Sequence, residues 1–152
     1  MKEKFLEVLR TTKQNVFVLA AENGDQRHAM TVSSVFSVSL EPMSMAVSVN
    51  QSASLHDLLT EETKFSLNLL TAEQTDIAEI CSGAEEGQIR FNHPDWNLKK
   101  IPYLQSAQSN LFCTCKKIVP LYSHSLVIGE VDDIFHSGKT DPLIYQDGRY
   151  ES

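Results

Sequence analysis

The stretch that decides the fold runs Ala29-Met-Thr-Val-Ser-Ser-Val-Phe-Ser-Val-Ser-Leu-Glu-Pro42, continues through Met-Ala-Val-Ser-Val at residues 45–49, and ends Asn50-Gln-Ser-Ala-Ser-Leu-His-Asp-Leu-Leu59. It places two hydroxyl-rich turns at the ends of two apolar strands. Along residues 45–49, larger apolar side chains alternate with small ones, which is the pattern of a strand buried on one face. This part of the chain predicts a β-rich fold with polar turns.

The second turn passes directly into a short amphipathic helix. Leu55, Leu58 and Leu59 share one helical face, and Ser54 precedes Asp57 by three residues, which is the spacing of a capping box. A helix start offers free backbone N–H groups, and serine hydroxyls beside them suit a phosphate. An ordinary N-cap at Ser54 is the competing interpretation.

The first turn, at residues 31–34, contains Thr31, Ser33 and Ser34. These side chains supply small donors and acceptors without bulk, as edge contacts to a flat ring rich in heteroatoms require. The alternative is that the hydroxyls only satisfy their own backbone. Together the two turns indicate a phosphorylated, planar cofactor.

The rest of the chain predicts mainly β structure. Asn23-Gly24 is a strong hairpin signal between two strands. Many strands joined by hairpins, with a few short helices, favour an antiparallel barrel, because closure removes exposed edges. The predicted strands cover residues 16–21, 26–32, 45–49, 64–70, 111–119, 124–135 and 143–145, the last opening a short hairpin through Asp147-Gly148.

Helical patterns are short. Thr71 and Gln74 have capping-box spacing ahead of a helix that buries Ile77, Ile80 and Cys81, and the first residues of the chain also have helical spacing. Residues 84–110 lack a regular period, and a long irregular segment is often functional.

Composition narrows the possible functions. The 152 residues are expected to form a single domain, 1–152, and a net charge of −7 argues against a nucleic-acid surface. We expect no membrane span and no signal peptide. The three cysteines indicate a reducing, cytoplasmic setting. Cys113 and Cys115 are expected to be buried, and the scattered histidines predict no metal site.

Several short motifs, in order along the chain, resemble those of one known family. They are the two turns above, Phe65-Ser-Leu-Asn-Leu-Leu70, Gln74 through Ile80, Arg90-Phe91 ahead of Trp96, His124 before Val127-Ile-Gly-Glu-Val131, and Asp141-Pro-Leu-Ile-Tyr145 with Gly148 and Tyr150. The chain is similar to the flavin reductase-like family, the short reductase partners of two-component flavin monooxygenases. The similarity covers nearly the whole chain.

The resemblance implies a split antiparallel Greek-key barrel that carries flavin in a groove and usually forms a homodimer. It implies an NAD(P)H-dependent reductase of FMN, with FAD possible, that uses NADH or NADPH and passes reduced flavin to an oxygenase component. It also implies a role for His124 on the nicotinamide side of the flavin. The flavin-binding positions that it implies are Thr31, Val32, Ser33, Ser34, Val49, Asn50, Gln51, Ser52, Ser54, Arg90 and Phe91.

Other interpretations of these residues remain open. Taken alone, Arg90 is a surface arginine, Phe91 a core residue and His124 a polar residue at a strand end. A non-catalytic FMN-binding carrier or sensor of the same fold is the alternative function. A barrel dimer that binds neither flavin nor nucleotide is a third.

Overall fold

The computed structural model describes residues 1–84 and 87–151. The α-helices are α1 (Lys2–Thr11), α2 (Ser54–Leu58) and α3 (Thr75–Glu79); α3 continues into a π-helical turn, Ile80–Ala84, and Gly87–Asn92 forms a 3₁₀ segment. The strands are β1 (Gln14–Asn15), β2 (Phe17–Asn23), β3 (Gln26–Val32), β4 (Val35–Leu40), β5 (Met43–Asn50), β6 (Lys64–Leu69), β7 (Trp96–Asn97), β8 (Tyr103–Leu104), β9 (Ser109–Leu121), β10 (His124–His136), β11 (Ile144–Gln146) and β12 (Arg149–Glu151).

Seven strands form the main sheet, in the order β3-β2-β6-β9-β10-β5-β4, and each neighbouring pair is antiparallel. Three hairpins, β2–β3, β4–β5 and β9–β10, supply six of these strands. Two smaller sheets, β1-β11-β12 and β7-β8, complete the β structure of the described residues.

The main sheet curls on itself. Its two outermost strands, β3 and β4, are separated along the chain only by Ser33 and Ser34. A link of two residues spans only about 10 Å, so the two edges of the sheet approach each other where β3 ends and β4 begins. The backbone N–H of Ser48 donates to the carbonyl oxygen of Ser34 at 3.0 Å and fixes this junction. The curl agrees with the split-barrel fold expected from the sequence.

Two core clusters lie on opposite faces of β2. Val18 and Ala20 belong to one cluster, and the alternating Leu19 and Ala21 belong to the other. Successive residues of a strand point to opposite faces, so both faces of this strand are covered. The same holds for β5, where Ala46 is as fully buried as Val49. The expectation that residues 45–49 would be buried on one face only was therefore wrong.

Six of the seven strands of the main sheet lie close to their predicted positions, and β3 has the predicted bounds, but β4 (Val35–Leu40) was not predicted. The irregular segment is more ordered than expected, because residues 87–92 form the 3₁₀ segment and Trp96–Asn97 pairs with Tyr103–Leu104. Buried Asn68 helps to hold this segment, since its Oδ1 accepts the N–H of Leu104 at 3.0 Å. No helix of the described residues is long and apolar enough to cross a membrane.

Both predicted capping boxes differ from the structure. Helix α2 has Ala53 at its N-cap, and Ser54 makes no capping bond. Helix α3 begins after Gln74, which also gives no side-chain cap to the helix. Only half of the second box is present: the N–H of Thr71 donates to Oε1 of Gln74 at 3.0 Å.

Candidate flavin site

A cavity of about 310 Å³ opens beside the end of β3. It brings together three of the positions selected from the sequence: Thr31 on β3, Ser54 at the start of α2, and Arg90 in the 3₁₀ segment. These residues are far apart along the chain and meet because α2 and the 3₁₀ segment both pack near β3. The other lining residues are His28, Ala29, Met30, Ala53, Leu55, Cys81, Ser82 and Gly83.

A second cavity, of about 380 Å³, adjoins the first and shares Thr31 and Ser82 with it. Val32 and Ser33 line it from the β3 side. The remaining lining residues are Val16, Tyr145, Gly148 and Tyr150. We call the two cavities together the β3 groove. Small-ligand sites have volumes of roughly 300–1,000 Å³, so the β3 groove is large enough for a cofactor.

Arg90 is fixed at one end of the β3 groove. Its Nη1 donates to the carbonyl oxygen of Ala29, and its Nε donates to that of Gly87 at 2.8 Å. Its own carbonyl oxygen accepts the indole N–H of Trp96 at 3.0 Å. A guanidinium has five N–H donors, so the anchored side chain keeps others for an anion.

The groups around Arg90 favour their neutral forms. Burial lowers the pKa of His28, and the positive charge of Arg90 lowers it further. Burial raises the pKa of the Cys81 thiol to about 12, against a smaller opposing effect of Arg90. Arg90 therefore dominates the local charge of this end of the β3 groove, which suits a phosphate.

The hydroxyls of the first turn are already committed as donors. Thr31 Oγ1 donates to the carbonyl oxygen of Ala78 at 2.7 Å, and Ser33 Oγ donates to Oε1 of Gln14 at 3.0 Å. Their remaining lone pairs can only accept. Toward a ligand in the groove, these two side chains are acceptors for ring N–H or ribityl hydroxyl groups.

Ser34 lies outside the β3 groove. It lines a third cavity, of about 610 Å³, between α1 and the β11–β12 hairpin. That cavity shares Tyr145 and Gly148 with the β3 groove, so the two spaces adjoin.

The second turn is only partly in the groove. Oδ1 of Asn50 accepts the N–H of Ser52 at 2.8 Å, and the N–H of Gln51 donates to the carbonyl oxygen of Ser123 at 3.0 Å. Asn50, Gln51 and Ser52 therefore lie against the β9–β10 hairpin and do not line the groove. Of this turn's predicted ligands, Ser54 alone lines it.

His124 lies beside this turn rather than in the β3 groove. It pairs with Asn50 across β10 and β5, and its carbonyl oxygen accepts Nε2 of Gln51 at 2.7 Å. The imidazole is half-buried, and Nδ1 is 2.8 Å from Oγ of Ser123.

Two predicted flavin positions are core residues. Val49 is fully buried, so only its backbone could meet a ligand. Phe91 is 7% exposed and packs on Trp96 with ring centroids 4.9 Å apart. The ordinary core interpretation of Phe91 fits this structure, and we do not retain it as a side-chain contact to flavin.

Comparison with known proteins identifies the family. The profile of the flavin reductase like domain matches residues 9–152. The chain belongs to this family. The reductase component of the FADH2-dependent resorcinol hydroxylase of Rhizobium sp. (strain MTP-10005) is 34% identical over 152 residues, covering 97% of this chain and 85% of that protein.

Two further relatives of this flavin reductase-like chain support the same assignment. The FMN reductase (NADH) of Pseudomonas syringae pv. syringae (strain B728a) is 30% identical over 137 residues, covering 89% of this chain and 77% of that protein. The solved structure of the styrene monooxygenase flavin reductase from Pseudomonas putida S12 superposes with a TM-score of 0.86 at 27% identity, covering 97% of this chain and 96% of that one.

The predicted ligand positions of this flavin reductase-like chain left out several groove residues, including Tyr145 and Tyr150, although both belong to the motifs of the resemblance. Tyr145 and Tyr150 face each other across the β11–β12 hairpin, with ring centroids 5.3 Å apart. Burial raises the pKa of Tyr150, although its hydrogen bond with Ser82 opposes this. Asp147-Gly148 correctly predicts the hairpin, and the pairing of the two tyrosines could have been inferred from it.

Cys81, Cys113 and Cys115 are all buried free thiols, as predicted. Within residues 1–84 and 87–151, no group of three or more His, Cys, Asp or Glu side chains is arranged to hold a metal ion.

Proposed function

We propose that the protein is an NAD(P)H-dependent flavin reductase that supplies reduced flavin to a separate oxygenase. The family match over residues 9–152 carries this proposal. The β3 groove supports it, because Thr31, Ser54 and Arg90 converge there.

The polar groups of the β3 groove fit a flavin. Arg90 and the Ser54 hydroxyl would hold the phosphate, since a guanidinium forms charge-assisted hydrogen bonds with phosphate oxygens. Thr31 and Ser33 would accept hydrogen bonds from the ring edge or the ribityl chain. FMN is the expected flavin, because the groove presents one fixed arginine for one terminal phosphate; FAD remains the second choice.

Bound flavin accepts a hydride from reduced nicotinamide, and this reactivity belongs to the two cofactors. The protein's contribution is to position them. Alignment of two reactants can lower a bimolecular barrier by about 7–11 kcal/mol. The bond between Thr31 and Ala78 keeps the groove wall in place before any ligand arrives. Positioning of the two cofactors is sufficient for this reaction, so the proposal assigns no acid–base role to a groove residue.

His124 is proposed to contact the nicotinamide dinucleotide, NADH or NADPH. Its Nδ1 is engaged by Ser123, and within the described residues Nε2 has no hydrogen-bond partner. The imidazole could therefore donate or accept one bond to a ligand that lies over the second turn.

A homodimer is proposed as the working form. Strand β4 is an edge of the main sheet, and it exposes Phe36, Val38 and Leu40 by 53%, 51% and 84%. Helix α1 buries none of its residues, and Phe5 and Val8 are more than half exposed. Apolar area of this extent on an edge strand favours association.

The three buried free thiols support a reducing, cytoplasmic setting.

An anaerobic absorbance titration tests the function. Purified protein with FMN should lose the visible absorbance of oxidised flavin when NADH or NADPH is added, much faster than the same mixture without protein. Admission of air should restore the spectrum. A stable flavin complex whose spectrum resists both nucleotides would favour the carrier or sensor alternative. Light scattering of the same sample would give the oligomeric state.

A further inference from the structure

A separate cavity of about 410 Å³ lies on another part of the molecule. Phe112 on β9 and Phe135 on β10 line it, and residues 97–103 close it from one side. It shares no lining residue with the β3 groove. Cys113 is in the core, so its neighbour Phe112 points to the opposite face of the sheet. We call this space the aromatic cavity.

Three aromatic rings form its apolar wall. The centroid of Tyr103 lies 5.2 Å from that of Phe112 and 5.9 Å from that of Phe135, and the last two are 5.6 Å apart. Two of the three contacts are edge-to-face. Phe135 is still 50% exposed after these contacts. The wall is therefore a preformed aromatic surface open to one more flat ring.

The segment that carries Tyr103 is anchored. Ser66 Oγ donates to the carbonyl oxygen of Pro102 at 2.6 Å, and the N–H of Leu104 donates to Oδ1 of buried Asn68 at 3.0 Å. Both bonds join residues beside Tyr103 to strand β6. The aromatic cavity is consequently part of the fold and not a gap between loose loops.

Three lysines and two aspartates line the aromatic cavity, so its charged side chains sum to +1. Lys64 is engaged, since its Nζ donates to Thr114 Oγ1 at 3.0 Å and lies 3.7 Å from Asp132 Oδ2. Asp132 also accepts the Thr114 hydroxyl at 2.5 Å, and Asp133 Oδ1 accepts the N–H of Ile134 at 2.9 Å.

Lys99 and Lys100 differ from Lys64. Both are exposed at the rim, and neither forms an ion pair within the part of the chain that the structure describes. In a protein of net charge −7, two adjacent lysines above an aromatic wall are a local attraction for a negative group.

We propose that the aromatic cavity binds a small aromatic carboxylate. The ring packs against Tyr103, Phe112 and Phe135, and the carboxylate faces Lys99 and Lys100. The proposal does not rest on the proposed flavin chemistry, and it concerns binding alone.

Benzoate is the probe, titrated into the full-length protein while amide signals are followed by NMR. We expect saturable shifts at residues around Phe112 and Phe135. Benzyl alcohol lacks the charge and cyclohexanecarboxylate lacks the aromatic ring, so both should bind at least about fivefold more weakly. Equal affinity for either compound would overturn the corresponding part of the proposal.

Two matched double variants test the location. Lys99→Gln with Lys100→Gln should weaken benzoate binding about fivefold or more. Lys116→Gln with Lys117→Gln removes the same charge from another pair of neighbouring, exposed lysines, which does not line the cavity. This variant should leave benzoate binding unchanged. Equal loss in both variants would mean a general charge effect, and loss in neither would exclude this site.

A third variant separates the aromatic cavity from the β3 groove. Phe135→Leu should reduce benzoate affinity and leave FMN affinity unchanged, and Arg90→Gln should do the reverse. Benzoate shifts that disappear with Arg90→Gln would assign the binding to the β3 groove and overturn the proposal.

Discussion

Arg90 is tied to strand β3 by a hydrogen bond from its Nη1 to the carbonyl oxygen of Ala29. This bond joins two parts of the chain that lie 61 residues apart and brings the guanidinium to the cavity that Thr31 also lines. The charge thus sits in place before a ligand binds, and a preorganised donor binds at a lower entropic cost.

Arg90→Gln is expected to raise the FMN dissociation constant about 10- to 100-fold. Hydrogen bonds to charged groups contribute about 1.5–3 kcal/mol, and the glutamine keeps only a neutral donor. Arg90→Lys should retain part of the affinity. Arg27→Gln is the control, because Arg27 pairs with Glu22 and lines neither cavity of the β3 groove. Quenching of flavin fluorescence measures all four proteins, and unchanged affinity of the glutamine variant would remove Arg90 from the site.

Ser54→Asp and Ser52→Asp are a matched pair on one turn. Both side chains are exposed, but only Ser54 lines the groove. A new carboxylate at Ser54 should repel the flavin phosphate, whereas one at Ser52 is partly screened at physiological salt, where the Debye length is about 8 Å. We expect FMN affinity to fall at least about fivefold more for Ser54→Asp. Equal effects would show that the phosphate lies elsewhere. Circular dichroism should show an unchanged fold.

The contrast between these two serines also shows what the sequence could predict. Most strands of the main sheet could be predicted, because the hairpin signal Asn23-Gly24 and the apolar runs are local features of the sequence. The prediction of Ser54 as an N-cap was wrong because the helix already begins at Ser54, with Ala53 as its N-cap. Asn50 forms a tight turn just before the helix, in which its Oδ1 and carbonyl oxygen accept the N–H groups of Ser52 and Ala53. Asn and Ser side chains both form such turns and caps, so residue types alone do not fix the residue at which the helix begins.

The residues that line the β3 groove could not all be predicted from local sequence patterns, because the groove forms where segments far apart in the chain pack together. Ser82 and Tyr150 line it because the π-helical turn and the β11–β12 hairpin pack beside β3. Phe91 follows Arg90 directly, yet one side chain lines the groove and the other enters the core. Tertiary packing therefore brought Ser82 and Tyr150 to the groove, and it decided that Arg90, but not the neighbouring Phe91, lines it.

Gly129→Ala tests the packing of the barrel. A Cβ at Gly129 would lie 2.5 Å from Cζ of Phe65 and 3.0 Å from Cβ of Cys113, and Phe65 is only 1% exposed. Overpacking of this kind costs about 1–3 kcal/mol. Urea denaturation should show that loss in the free energy of unfolding. Phe65→Leu combined with Gly129→Ala should cost less than the sum of the two single changes, and simple additivity would argue against the contact.

The buried thiols predict a loss of stability at high pH. Burial raises the pKa of Cys81 and Cys113 to about 12, whereas an unfolded thiol titrates near about 8.5. Between those values the unfolded state releases protons that the folded state keeps, so the free energy of unfolding should fall as pH rises from about 9 to 12. The folded protein should also react slowly with a thiol reagent at pH of about 8, and urea should accelerate the reaction.

A double variant tests whether the thiols of Cys81 and Cys113 cause the loss of stability at high pH. Replacing both thiols, Cys81→Ala with Cys113→Ala, should flatten the decline of unfolding free energy with alkaline pH, even though the cavities lower stability at every pH. An unchanged slope would assign the alkaline loss to other groups, and fast labelling of the native protein would contradict the burial of the thiols.

His124→Ala is expected to slow nucleotide-driven reduction of FMN more than it weakens FMN binding. His124 lies outside the β3 groove, beside the second turn, so its loss should raise the KM for NADH or NADPH while the FMN dissociation constant stays within about twofold. His136→Ala is a close control, because His136 ends the same strand and its Nδ1 is likewise 3.0 Å from a serine hydroxyl, that of Ser109. Anaerobic stopped-flow reduction and a flavin titration give the two quantities. Equal loss of both in His124→Ala, or the same change in His136→Ala, would remove the nucleotide contact from this end of β10.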